Sequence, residues 1–119
     1  MNTKPRITLA TLPQATGQEV FDQVKEHLLT QKVQSKTPSG CAYRGDGGLM
    51  CAAGCLIGDD EYVPHMDNEW DSSWDTLISE GVVPKDHQTL IQNLQDVHDT
   101  GGDWEYKLKD LAEEMGLAY

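Results

Sequence analysis

The chain has 119 residues, room for one domain of ordinary size. Twenty Asp and Glu against nine Lys and Arg give a net charge of −11 with neutral histidines, which excludes direct electrostatic capture of nucleic acid or an anionic membrane, because both need a cationic footprint. No stretch approaches the roughly 18 apolar residues of a membrane span, and residues 1–15 lack the apolar run of a signal peptide, so a cytoplasmic protein is expected.

Residues 1–15 hold two prolines and no sustained period, and read as an extended arm ahead of a domain over 16–119. Thr16 with Glu19 forms a capping box, and Val20, Phe21, Val24 and Leu28 share about 100° of arc, which predicts a helix over 17–31. Cys41 to Arg44 and Leu49 to Ala52 flank Gly45-Asp46-Gly47-Gly48, a loop able to take the positive φ of a tight turn. A β-hairpin is expected there, packed on helices because an isolated hairpin is marginal. The small residues Ala52, Ala53 and Gly54, followed by Cys55, Leu56 and Ile57, predict a closely packed turn ended by Gly58.

An acidic connector spans 59–75, where Pro64 rules out one long helix. Ser72 or Ser73 caps a short helix to about residue 80, with Gly81 as its stop. Leu90, Ile91, Leu94 and Val97 share one face of a helix over 85–99. Asp103 caps the last helix, on which Trp104, Leu108, Leu111, Ala112 and Met115 recur at helical spacing before Gly116. The expected fold is therefore α+β: an N-terminal helix, a central β-hairpin, and three to four further helices around it.

Charge divides the chain unevenly: residues 1–58 carry a net +2 and residues 59–119 a net −13. Asp96, Asp99, Glu113 and Glu114 fall near helix C-termini, where the dipole disfavours them by about 0.3–1 kcal/mol each. The carboxylates of this half are expected to form a continuous anionic face for a basic partner. Asp67, Glu69, Asp71 and Asp75 are its candidate contacts, with Trp70 and Trp74 as aromatic anchors. Those acids fail as a calcium loop, since Ser72 stands where glycine is needed and Ile78 where a bidentate carboxylate is needed.

A different class of function draws on the nucleophilic and titratable residues. Cys41, Tyr43, Arg44, His87 and His98 would converge on a small-molecule or nucleotide site, Arg44 holding an anionic group and a histidine or cysteine doing the chemistry. Three cysteines within fifteen residues make a poor disulfide framework and are expected to pack as small apolar side chains. Cys41, Cys51, Cys55 and His65 contain the atoms of a zinc site, but only Cys51 and Cys55 approach the usual knuckle spacing. His98-Asp99 alone is a very weak signal for a metal-phosphohydrolase pair. No cofactor is expected, and the balance leans against an enzyme.

The segment from Cys41-Ala42-Tyr43-Arg44-Gly45 to Leu49-Met50-Cys51-Ala52-Ala53-Gly54-Cys55-Leu56-Ile57 resembles a group of small uncharacterised proteins encoded by tailed bacteriophages and bacterial genomes. The likeness extends to the helix around Val20 to Leu29, the turn Asp60-Glu61-Tyr62 and the Leu-Gln-x-x-His-Asp run at 94–99, covering roughly residues 18–115. The resemblance implies a phage-related origin and carries no catalytic residues. It also implies a non-enzymatic host-takeover or counter-defence protein acting in the host cytoplasm. The expected partner is a host protein with a basic surface, nucleic-acid-binding proteins being one such class.

Overall fold

The computed structural model describes residues 6–37, 40–67 and 73–119. Helix α1 (Gly17–Gln31) opens on the expected capping box, with Thr16 Oγ1 accepting from the Glu19 amide at 3.1 Å and the Glu19 carboxylate accepting from the Thr16 amide at 2.9 Å. Strands β1 (Lys36–Thr37) and β2 (Gly40–Cys41) pair antiparallel, Lys36 opposite Cys41. Helices α2 (Trp74–Ser79), α3 (Gln88–Thr100) and α4 (Trp104–Met115) follow, with Ser73 and Asp103 as the N-caps of the first and last. Among the described residues, four α-helices and a two-stranded hairpin make the fold α+β, with an N-terminal helix and a central hairpin. No helix among the described residues is long and apolar enough to cross a membrane.

Helices α1, α3 and α4 pack mutually, and the 3-10 turn Ala53–Leu56 lies between α1 and α3. The predicted apolar faces meet there: Val20, Phe21, Val24 and Leu28 from α1, Leu90, Ile91 and Leu94 from α3, and Leu108, Leu111 and Ala112 from α4 are all buried. Residues 51–57 are buried throughout and fill the centre of this core. The arm is anchored on the domain at its described end. Ile7 and Leu12 are buried, the Ile7 amide donates to Gln23 Oε1 at 2.7 Å, and Glu61 accepts from the Leu9 and Ala10 amides.

The first strand of the hairpin opens five residues earlier than the glycine pattern predicts, at Lys36, and the second nine residues earlier, at Gly40. Segments 41–44 and 49–52 touch through a single bridge, Arg44 to Met50, and Asp46–Gly48 coils into a 3-10 turn. The cause is competition for the backbone: the Tyr43 and Arg44 amides that a longer ladder would use donate to the Asp67 carboxylate, at 2.8 and 3.2 Å. Helix α3 likewise begins three residues later than its apolar pattern implies. His87 precedes it in the left-handed region (φ 62°), held by its Nε2–H donating to the Ala15 carbonyl at 2.8 Å.

Candidate binding groove

The polar face of α3 borders a groove of about 500 Å³. Thr89, Gln92, Asn93, Gln95, Asp96 and Asp99 form one wall, and Cys41, Tyr43, Cys51, Asp67, Ser73 and Trp74 form the rest with Ala42. The wall follows from helical spacing: with Leu90, Ile91, Leu94 and Val97 turned into the core, residues 89, 92, 93, 96 and 99 must share the opposite face. That periodic polar stripe was readable in the sequence, but nothing there says which segment would lie across it. The lining holds three carboxylates, and no lysine or arginine among the described residues.

These carboxylates differ in availability. Asp67 accepts from the Tyr43 and Arg44 amides and, at 2.6 Å, from the Tyr62 hydroxyl; partial burial and this carboxylate push the Tyr62 phenol up to about 12. Asp99 Oδ1 accepts from Gln95 Nε2 at 2.7 Å and from His98 Nδ1 at 2.8 Å. The Asp96 carboxylate is exposed and has no partner among the described residues.

Cys41, His98 and Asp99 bring ligand-type atoms within 4.8 Å of one another. Hydrogen bonding nevertheless argues against a metal centre. His98 Nε2 accepts from the Ser35 amide at 2.9 Å, so the ring proton sits on Nδ1 and is donated to Asp99. A cation on Nδ1 would have to displace that proton, either stripping the ring or moving the proton to Nε2 against the Ser35 N–H. The same arrangement leaves neither ring nitrogen able to take a proton from Cys41. Partial burial, then the Asp99 charge and its hydrogen bond, raise the Cys41 thiol above its ordinary value, opposite to what a nucleophile needs.

The residues expected at a small-molecule site separate. Cys41 and Tyr43 line the groove, and His98 lies buried behind it. Arg44 turns the other way, donating to the Gly54 and Ile57 carbonyls at 2.7 Å each and pairing with Asp59 at 3.2 Å, while His87 is bonded to Ala15. The cysteine tetrad does not gather among the described residues: Cys51 and Cys55 are core, whereas His65 is exposed and 3.4 Å from Glu80. Cys41 is exposed, a departure from the expectation that all three thiols pack inside.

Of the expected partner contacts, Glu69, Trp70 and Asp71 lie outside the described residues. Asp67 is engaged internally, and Asp75 is exposed beyond the groove with Gln88 Nε2 on its carboxylate at 3.0 Å. Trp74 is 3% exposed and meets Tyr43 edge-on at 6.1 Å, so it belongs to the groove floor and not to an exposed rim. Glu61 and Asp67 cap backbone amides, Asp96 and Asp99 border this groove, and Asp103 and Glu105 line a second one of about 570 Å³ beside Trp104. No protein-family model, curated protein or solved structure matches the chain.

Proposed function

We propose that this chain is a non-enzymatic binding protein that engages a basic surface of another protein through the groove on the polar face of α3. The observation that carries the reading is the lining itself: Asp96 and Asp99 on one wall, with no cation among the described lining residues to neutralise them. Most of the chain's net negative charge lies in the same half of the sequence, so the field around the groove favours approach of a positive partner. What supports a host factor as the target, inhibited or redirected by stoichiometric binding, is the likeness of residues 41–57 to small phage proteins.

A catalytic reading has less support, because His98 has both ring nitrogens engaged and the Cys41 thiol is raised. The nucleotide version has less again, since Arg44, its intended anion holder, is committed to main-chain carbonyls.

Calorimetric titration of the full chain with an oligolysine peptide tests the proposal. Binding is expected at about 0.01 M ionic strength and lost near 1 M, where screening acts within a few ångströms. It is also expected to weaken when Asp96 and Asp99 are replaced by Asn. Salt-independent binding, or binding untouched by those replacements, refutes it.

A further inference from the structure

The sequence holds one Asp-Gly dipeptide and no Asn-Gly, and the fold sets it, as Asp46-Gly47, on the crown of the turn between segments 41–44 and 49–52. Such a pair can react with itself: the amide nitrogen of the second residue attacks the side-chain carboxyl carbon of the first. Glycine favours the attack because, with no Cβ, it neither shields its own nitrogen nor resists the rotation that brings the two atoms together.

The structure leaves the pair open to it. Asp46, Gly47 and Gly48 are exposed, and the Asp46 carboxylate has no partner among the described residues. A Cβ added at Gly47 or Gly48 would meet nothing within 4 Å, so no neighbour braces the crown. Gly47 lies in the left-handed region (φ 75°), which interrupts the 3-10 turn. The base of the turn is built the other way. A Cβ at Gly45 would collide with Ser35 Oγ and the Lys36 amide nitrogen, and the Gly45 amide donates to the Leu49 carbonyl at 2.9 Å. With the base fixed and the crown free, Asp46 can rotate without opening the core.

We infer that Asp46-Gly47 is a site of spontaneous isomerisation to isoaspartate, and that its product disturbs the Arg44 to Met50 bridge. Gly47 N bonds to Asp46 Cγ, the amide proton and the carboxyl hydroxyl leave together as water, and a succinimide ring remains. Water then adds to one ring carbonyl. Breaking the bond from nitrogen to Cγ restores aspartate. Breaking the bond from nitrogen to the original main-chain carbonyl carbon leaves the chain running through the side chain, with a free α-carboxylate. Water is the co-reactant, and the net change in composition is nil. The product lengthens the path from Gly45 to Leu49 by one carbon, so the bond between those residues and the bridge outside it must shift. That bridge lies one residue from Tyr43 and Cys51, which line the groove.

To test it, folded and guanidinium-unfolded samples of the full chain are incubated at neutral pH in water enriched in ¹⁸O and returned to ordinary water. Digestion and electron-transfer fragmentation then separate isoaspartate from aspartate at equal mass. Isoaspartate carrying one ¹⁸O is expected at residue 46 of the folded chain. Because an unbraced turn opens at little cost, it should accumulate within about tenfold of the unfolded rate. Asp46→Glu, which would need a six-membered ring, should show neither mark. The aged folded chain, labelled with ¹⁵N, should give second amide resonances for Arg44 and Met50. A folded rate more than about tenfold below the unfolded one, or no conversion in either sample, overturns the inference. So does ¹⁸O that persists at this turn in Asp46→Glu. A single set of Arg44 and Met50 resonances alongside isoaspartate overturns the disturbance of the bridge.

Discussion

The backbone amide of Ser35 donates to Nε2 of His98 across 2.9 Å, and both residues are wholly inaccessible to solvent. This one bond fixes the tautomer, aims Nδ1–H at Asp99, and ties the segment leading into the hairpin to the end of α3. The imidazole also stacks on Trp104, with centroids 5.6 Å apart and planes 25° from parallel. His98→Phe keeps the stacking surface but strands the Ser35 amide. It should lower the unfolding free energy in urea by about 1–3 kcal/mol, the usual cost of an unsatisfied buried donor. Long-range ¹H–¹⁵N correlation should show the proton on Nδ1 and no change on adding zinc. A zinc-induced shift there would mean that the Cys41, His98 and Asp99 cluster is a metal site after all.

Gly54 shows how tightly the central turn is packed. A Cβ at that position would lie within 2.3 Å of the Tyr43 carbonyl oxygen, a backbone atom that cannot step aside. Gly54→Ala should therefore destabilise by about 2 kcal/mol, the scale of overpacking in a filled core. Gly17→Ala is the contrast: its Cβ meets only side-chain methyl groups near 3.9 Å, at the first position of α1. That change should be neutral or stabilising by up to about 1 kcal/mol. Equal effects from the two substitutions would refute the close approach of residues 43 and 54.

The same packing explains what the sequence could and could not disclose. Caps and stops were legible because they are local: Thr16 with Glu19, Ser73, Asp103 and Gly116 act within one turn of their own position. The hairpin was misplaced because its register depends on Asp67, more than twenty residues downstream, capturing the Tyr43 and Arg44 amides. Arg44 looked like a ligand-binding cation, yet it caps the central turn through the Gly54 and Ile57 carbonyls. Much of the Cys41 to Ile57 signature therefore serves to build the core. The groove was half legible, as the polar stripe on α3, while the opposite wall is supplied by tertiary contacts with no local signal.

Thiol reactivity should divide one to two. Burial pushes Cys55 up to about 12 and Cys51 also well up, while Cys41, though raised, is exposed. Iodoacetamide at mildly alkaline pH should add one carbamidomethyl group, mapped by mass spectrometry to Cys41, and two more only after unfolding. Early labelling of Cys51 or Cys55 would show that the central turn opens readily. Because Cys41 lines the groove, its alkylation should also reduce oligolysine binding.

Acid should weaken the fold partly through His27. Burial is the main cause that lowers its pKa below 6.5; its bond to the Met50 carbonyl at 2.8 Å opposes the shift, and the positive charges of Arg6 and Arg44 reinforce it. The unfolded chain then takes up the proton first. The contribution is present above about pH 6.5 and lost as the pH falls from there through the folded-state value. Urea midpoints measured through that window should decline less steeply for His27→Gln than for the parent. Parallel declines would assign the acid sensitivity to other groups.

Asp96 should report a conflict between stability and binding. Its carboxylate lies in the last turns of α3, beside Asp99 and against the helix dipole, with nothing among the described residues to offset either repulsion. Asp96→Asn removes both penalties, so the free protein should gain about 0.5 kcal/mol, a rise in Tm of about 2 °C for a chain of this size. The same substitution should weaken oligolysine, since it removes the carboxylate in the groove best able to accept a new partner. A destabilised Asp96→Asn would mean that this side chain has a structural role. A variant that is stabilised yet binds as well as the parent would move the positive partner to another surface.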